Sequence, residues 1–266
     1  MIKLGVNSVL FQGHDLETAV KTIAYCGYDG IEISAIKGMC DHLDLDRWQE
    51  QAQQIKDLVA KYKLPILSSE VASLDETRLT KAFEAAQDIG IPILNVGPGG
   101  KSDVEEDFQR QAEQIQKMAE KAGRYGVTLC VKAHVNCCVY NTPTTLRLMD
   151  RVTAKAFGVD MDPSHIWRAN EKPEQALAAA MKRVKHVHIR DCKGMGPKPG
   201  EPRDQACGRG DIDLFGYCRA MVEGRYDGPV CLEVIGAKEY DLWQCATIAA
   251  ETYGYLNACL KALGAR

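Results

Sequence analysis

The sequence lacks the features that mark membrane-spanning, secreted and disulfide-stabilised proteins. No apolar run approaches the roughly 18–20 residues that a membrane-spanning helix needs. The chain opens on Met1–Val6 (MIKLGV), a strand pattern instead of the long apolar segment of a signal peptide. Its 11 cysteines are scattered and form no C-x-x-C pair, so we expect reduced, structural thiols. These absences predict a cytoplasmic protein that does not contact a membrane.

An excess of charge of one sign and a dinucleotide-binding glycine motif are also missing. The 33 Lys and Arg residues nearly balance the 36 Asp and Glu residues, and the net charge of -3 gives no electrostatic reason to expect a nucleic-acid partner. No G-x-G-x-x-G follows the first strand pattern, which argues against an open, doubly wound sheet. Because no linker divides the chain and 266 residues suffice for a full core, we expect a single domain over residues 1–266.

The chain does contain a repeated unit, a short apolar strand pattern followed by a helical pattern. Short apolar strands joined by helices are typical of a parallel sheet covered by helices. Eight such units in about 250 residues predict an α/β fold, a closed (β/α)8 TIM barrel with its active site at the C-terminal ends of the strands. The predicted strands are 2–10, 30–34, 65–71, 91–96, 127–131, 157–162, 184–190 and 229–234.

Ionisable residues lie near the ends of the last four strand patterns. Alternate residues of a barrel strand point inward, so Lys132, Asp162, His188 and Glu233 are all expected at the catalytic end, with His134 on the face of Lys132. Taken singly, His188 could be a core histidine, Asp162 a turn or helix-cap residue, and Lys132 a strand-end lysine that reaches solvent. Burying the whole set costs free energy unless the charges pair or hold a metal. Their equivalent positions therefore favour one functional site.

The motifs around these residues resemble those of the xylose isomerase-like barrels and, more narrowly, of the sugar phosphate isomerase/epimerase branch. The resemblance covers essentially the whole chain. Each motif is short, and it is their order and spacing together that is specific. The motifs are GYDGIEIS in the second unit, DPSH at 162–165, VHIRD at 187–191, CLEV at 231–234 and a glycine-rich turn at 208–213.

The resemblance implies a metal site. In the family, a divalent metal is held by a Glu, an Asp, a His and a Glu on strands five to eight. Carried over, the last three become Asp162, His188 and Glu233, and the expected ion is Mn, Mg, Co or Zn. His165 matches the family's substrate-binding histidine.

At strand five the sequence departs from the family, because Lys132 stands where the family usually has Glu. An ammonium repels a nearby divalent ion, and lysine coordinates a metal only when it is deprotonated. Three interpretations stay open. In the first, the Lys132 side chain points away from the site and the metal remains. In the second, its ammonium replaces the metal and pairs with Asp162 and Glu233. In the third, Lys132 is itself the catalyst, as a general base or through a Schiff base.

The resemblance implies a sugar or polyol isomerase or epimerase that moves a proton next to a carbonyl with the help of a metal. Glu233 can serve as one base, and Lys132 and His165 complete the catalytic candidates. Because the second carboxylate base is missing, a one-base reaction fits better, either aldose–ketose isomerisation or loss of water from a keto-polyol, as in the family's inosose dehydratases. The predicted substrate-binding residues are His134, Glu70, Trp167, Arg190 and Arg209.

Two other functions compete with this interpretation. The same superfamily includes endonuclease IV-like nucleases with three zinc ions, but His14 and His42 lie outside the strand-end pattern and the chain has no net basic charge. The other competitor is a barrel that only binds a sugar or a partner, which Lys132 favours. The expected partner is a small sugar or polyol. A homo-oligomer is left open, since no apolar surface stripe identifies an interface.

Overall fold

A closed barrel of eight parallel strands forms the centre of the computed structural model, which describes all 266 residues. The strands follow one another around the barrel in chain order, and the first strand closes it by pairing with both the second and the last. The strands are β1 Lys3–Asn7, β2 Gly30–Ile36, β3 Ile66–Glu70, β4 Ile93–Val96, β5 Thr128–Lys132, β6 Phe157–Met161, β7 Val184–Ile189 and β8 Pro229–Leu232. The predicted TIM barrel is confirmed.

Helices connect the strands, and none of them is both long and apolar enough to cross a membrane. They are α1 Leu16–Tyr25, α2 Trp48–Lys61, α3 Glu76–Ile89, α4 Glu105–Arg124, α5 Thr142–Arg151, α6 Pro163–Arg168, α7 Pro173–Ala180, α8 Leu214–Glu223 and α9 Leu242–Ala262. Six of them begin where a short polar side chain accepts a backbone N–H of the first turn. These capping residues are Asp15, Asp75, Asn141, Asp162, Asp213 and Asp241.

Several strand bounds differ by one or two residues from the sequence-based expectation, and three local features differ in kind or by more. The first predicted strand, 2–10, ends at Asn7, because the Asn7 side chain accepts a hydrogen bond from the N–H of Val9 at 3.0 Å and starts a 3-10 helix there. A two-residue strand, Cys40–Asp41, pairs antiparallel with β2. The short helix α6 begins directly after Asp162, so that β6 ends one residue earlier than predicted.

The apolar faces of the strands and helices form one hydrophobic core of 73 buried residues. This follows from the alternation along the strands, which turns one face to the helices and the other into the barrel. Neighbouring strands approach closely at Gly30, where a Cβ atom would lie 2.6 Å from the carbonyl oxygen of Pro65 and 2.5 Å from Cγ of Leu67. A residue with a side chain would force these strands apart.

Candidate active site

A cavity of about 620 Å³ opens at the C-terminal end of the barrel. Glu70 is the last residue of β3, Lys132 is the last residue of β5, and Glu233 directly follows β8. The loop after β7 contributes Pro197–Pro199 to the cavity wall. The ionisable residues that line the cavity are Glu70, Lys132, His134, His165, Arg168, Arg190, Lys198 and Glu233. The cavity is thus at the end of the barrel that the sequence predicted for the active site.

The Lys132 ammonium lies between two carboxyl groups of this cavity. Its Nζ atom is 2.9 Å from Oε1 of Glu70 and 2.9 and 3.0 Å from the two oxygens of Glu233. These side chains are at most 5% exposed. Asn7 donates a hydrogen bond to the other oxygen of Glu70 at 2.7 Å. Burial alone would lower the pKa of Lys132, but Glu233 and Glu70 outweigh burial and raise it above its usual value, so the amine stays protonated.

Glu70 and Glu233 share this ammonium but differ in protonation. Burial and the charge of Glu233 raise the pKa of Glu70 to about 8. Burial acts in the same direction on Glu233, but Lys132 and Arg190 outweigh it and hold the pKa of Glu233 well below its usual range. Near neutral pH, Glu70 is therefore mostly an acid and Glu233 a carboxylate. Two neighbouring carboxyl groups with separated pKa values are a common acid–base arrangement in enzymes.

His188 lies between two further carboxylates inside the barrel. Its Nδ1 is 2.5 Å from Oδ2 of Asp160 and its Nε2 is 2.6 Å from Oε2 of Glu32. Asp160 also contacts Nδ1 of His186 at 2.9 Å, and Asn95 donates to Glu32 at 2.6 Å. Burial would lower the pKa of His188, but Asp160 and Glu32 outweigh it and raise the pKa well above its usual value. Both ring nitrogens therefore carry protons and act as donors.

Asp162 belongs to a separate group built around Arg190. The Asp162 carboxylate caps α6 by accepting the N–H of Ser164 at 2.8 Å, and it accepts from Nη2 of Arg190 at 2.8 Å. Nη2 is also 3.0 Å from Nε2 of His165, and Nη1 is 3.2 Å from Oε2 of Glu233. Burial and the Arg190 charge hold the pKa of His165 well below its usual range, so this ring is neutral. Nη1 of Arg190 is buried and makes no hydrogen bond, although it pairs by charge with the Glu233 carboxylate.

The remaining predicted substrate-binding residues divide between the cavity and its surroundings. His134 lines the cavity, and its ring lies against that of His165 with 4.2 Å between the ring centroids. Trp167 is outside the lining and donates to a backbone carbonyl oxygen of the loop after β7 at 3.1 Å. Arg209 is also outside, because its side chain turns to α9 and forms an ion pair with Glu251. The structure therefore brings only His134 of these three to the cavity.

The sequence reasoning gave no role to three residues of the site, Arg168, Lys198 and Asp160. Arg168 lines the cavity in place of Trp167 and has Nη2 3.0 Å from Nδ1 of His165. No signal pointed to it, because the sequence did not predict α6 and so did not predict which side of that helix faces inward. Asp160 is the partner of His188, and here a signal existed, since alternation along the sixth strand places Asp160 on the inward face.

The residues present do not fit the divalent metal of the family. Donor atoms of Glu70, His188 and Glu233 lie within 4.8 Å of one another, close enough to surround one ion. However, the Lys132 ammonium lies within 3.4 Å of all three side chains and would repel a divalent cation. His188 offers no lone pair, because both of its nitrogens donate to carboxylates. Within the predicted ligand set of Asp162, His188 and Glu233, Asp162 accepts hydrogen bonds from Arg190 and from the first turn of α6, and the set itself stays a prediction.

Known proteins share this fold and differ in their reactions. Inosose dehydratase 1 of a Bacillus cereus strain is 21% identical to this chain over an alignment of 224 positions that covers 72% of each chain. A crystal structure of D-allulose 3-epimerase from Methylomonas sp. matches with a TM-score of 0.77 at 19% identity, over 97% of this chain and 98% of that one. A crystal structure of the protein IolI with a bound zinc atom matches with a TM-score of 0.76 at 18% identity, over 97% and 98% of the two chains. At these identities, the two structural matches establish the fold alone.

The family itself follows from a match that covers most of the sequence. The sequence model described as the xylose isomerase-like TIM barrel matches residues 20–259. This range contains seven of the eight barrel strands and every ionisable residue that lines the cavity. The chain belongs to the xylose isomerase-like TIM barrel family.

Proposed function

We propose that this protein is a sugar- or polyol-converting enzyme that moves a proton at a carbon next to a carbonyl group. The observation that carries the proposal is the pair of buried carboxyl groups, Glu70 and Glu233, held 2.9 Å from one ammonium in the cavity. A positioned base, a positioned acid and a fixed positive charge are what proton removal next to a carbonyl requires. The epimerase and the inosose dehydratase among the similar proteins support a small sugar or polyol as the substrate.

In this proposal Glu233 is the base and Lys132 stabilises the charge that develops. The Glu233 carboxylate takes the proton from carbon, and the electron pair moves to the carbonyl oxygen, which becomes an enolate. The Lys132 ammonium donates a hydrogen bond to that oxygen, and so does Nη1 of Arg190, which is buried and makes no hydrogen bond within the protein. Both donors are buried and held by existing ion pairs, so that little reorganisation is needed during the reaction.

The spacing of the two carboxyl groups favours chemistry on one face of the substrate. Epimerisation by two residues needs one acid or base group on each face of the carbon whose configuration changes. With each reacting atom about 3–3.5 Å from that carbon, the two groups would be roughly 6–7 Å apart. Donor atoms of Glu70 and Glu233 lie within 4.8 Å of each other. This supports aldose–ketose isomerisation, in which one base carries the proton between neighbouring carbons, over epimerisation.

Dehydration of a keto-polyol is the second candidate, and the state of Glu70 favours it. With its pKa raised to about 8, Glu70 holds a proton at neutral pH. Glu233 would take the proton next to the carbonyl, the C–O bond at the next carbon would break, and a C=C bond would form. The leaving hydroxyl would depart as water with the proton of Glu70. The similarity to inosose dehydratase 1 supports this reaction.

Deuterium exchange tests both candidates. A panel of aldoses, ketoses and inososes is incubated with the protein in D2O, and proton NMR follows exchange next to the carbonyl, isomer formation and loss of water. We expect Glu233→Gln to abolish all three. We expect Glu70→Gln to keep exchange and isomerisation but to lose dehydration. Glu251→Gln, which changes an exposed carboxylate outside the cavity, is the matched control. No exchange with any panel member, or exchange that survives Glu233→Gln, would contradict the proposal.

A further inference from the structure

We infer that the Lys132 ammonium takes the place of the family's divalent metal, so that the site uses a cation that belongs to the chain itself. The catalytic consequence of this inference rests on the proposed function. The occupation of the site does not, because it can be measured without any substrate. Three properties of the site support this assignment: the distances around Nζ, a free N–H donor and the charge at strand five.

The distances around Nζ are those of an ammonium. A metal ion of this kind lies about 2.0–2.2 Å from carboxylate oxygens, whereas a charged N–H···O hydrogen bond spans about 2.7–2.9 Å. Glu70 and Glu233 are 2.9 Å from Nζ, and His188 is 3.4 Å away. The ammonium is therefore at the centre of the same donor group that could otherwise surround an ion.

The ammonium keeps one donor for a ligand, as a catalytic metal keeps an open coordination position. Lysine has three N–H donors. One points to Glu70 and a second is shared between the two oxygens of Glu233. His188 cannot accept the third, because both of its nitrogens donate to carboxylates at 2.5 and 2.6 Å. Since Lys132 lines the cavity, the third N–H is available to a substrate carbonyl oxygen.

At strand five taken alone, the lysine also keeps the charge that the resemblance implies for that position. In the family, a divalent ion and the carboxylate of strand five together contribute one positive charge. Lys132 contributes the same charge with a single side chain, at the position of that carboxylate. The Asp of strand six then needs another partner, and Asp162 has one in Arg190 at 2.8 Å. The lysine at strand five and the arginine partner of Asp162 together supply the positive charge that a metal would bring.

Metal retention tests this inference. The wild-type protein, Lys132→Glu, the double variant Lys132→Glu/Glu233→Gln and the control Lys261→Glu are incubated with Mn²⁺, Co²⁺ or Zn²⁺, desalted and analysed for metal. Lys261→Glu makes the same change of charge at an exposed position on α9. We expect Lys132→Glu to retain about one equivalent, at least about tenfold more than the wild type and the control, because the new carboxylate joins Glu70 and Glu233 as a ligand. The double variant should lose this metal.

A second readout and a second variant keep the test decisive. Bound metal should raise the thermal unfolding midpoint of Lys132→Glu and leave that of the wild type unchanged. If Lys132→Glu does not fold by circular dichroism, Lys132→Ala replaces it, since it removes the ammonium without adding charge. The inference is overturned if the wild type retains one equivalent that Glu233→Gln removes, or if a folded variant retains no more metal than the wild type. A negative substrate panel would instead count against the proposed function alone.

Discussion

Replacing Lys132 by methionine removes the ammonium from the site while keeping a side chain of similar length. In the wild type, Lys132 contacts Glu70 and Glu233, and these side chains are at most 5% exposed. The variant leaves the Glu233 carboxylate with Arg190 as its remaining cation, 3.2 Å from Oε2. Removing one partner of a buried ion pair costs about 3–5 kcal/mol. Because Arg190 remains and Glu70 can stay protonated, we expect the free energy of unfolding to fall by about 3 kcal/mol at neutral pH, the lower end of that range.

The size of this loss should depend on pH with a definite sign. The pKa of Glu70 is about 8 in the folded protein, above its usual value of 4.5. Between these values the folded state binds more protons than the unfolded state, so stability falls as the pH rises. Without the ammonium the pKa of Glu70 rises further, and this fall continues above about pH 8 in the variant only. The two proteins should therefore diverge there, by up to about 1.4 kcal/mol per pH unit.

Thermal unfolding at about pH 6 and about pH 9 measures both effects. For domains of 150–250 residues, 1 kcal/mol shifts the unfolding midpoint by about 2–4 °C, so a loss of 3 kcal/mol corresponds to roughly 6–12 °C. Lys261→Met, at an exposed position, is the matched control and should change the midpoint little. An unchanged midpoint at both pH values, or a larger loss at the lower pH, would refute the pairing of Lys132 with the two carboxyl groups.

Three further changes test other parts of the structure. Glu70→Gln removes the group with the raised pKa, so the fall of stability between about pH 4.5 and 8 should become shallower; an unchanged slope in thermal unfolding would argue against that raised pKa. Arg168→Ala removes a donor to the loop after β7, so limited proteolysis should cut this loop faster than in the wild type, and equal rates would contradict the contact. Gly210→Ala places a Cβ atom 2.2 Å from Oδ1 of Asp191 and should lower the free energy of unfolding by about 1–3 kcal/mol. Gly196→Ala is the control and should leave the free energy of unfolding unchanged, because no atom lies near its Cβ position. Equal urea midpoints for the two variants would contradict the close approach at Gly210.

Alternation along single strands is enough to predict where the site lies. In a parallel strand, alternate residues face opposite sides, and this pattern alone places Lys132, His134 and Glu233 at one end of the barrel. The structure brings Lys132 within 2.9 Å of Glu233 and places all three residues on the cavity. Alternation also places Asp160 on the inward face of the sixth strand, but the pattern does not show that this carboxylate pairs with His188.

Alternation fails where a helix begins directly after the strand, as it does at Asp162. Helix α6 begins immediately after this residue, so the Asp162 carboxylate turns back to cap the helix instead of facing Lys132. A helix of six residues is too short to show helical periodicity in the sequence. For the same reason the sequence could not show that Arg168, and not its neighbour Trp167, lines the cavity.

The sequence by itself determined the barrel and the lysine at the end of β5, and it predicted the end of the barrel at which the cavity opens. These properties depend on the periodicity of single elements and on residue identity. Only the tertiary structure decided which charges pair. Lys132 meets Glu70 across 62 positions of the chain, and His188 meets Glu32 across 156. Such pairs depend on distances between remote strands in the closed barrel, and the pattern within one strand contains no information about those distances.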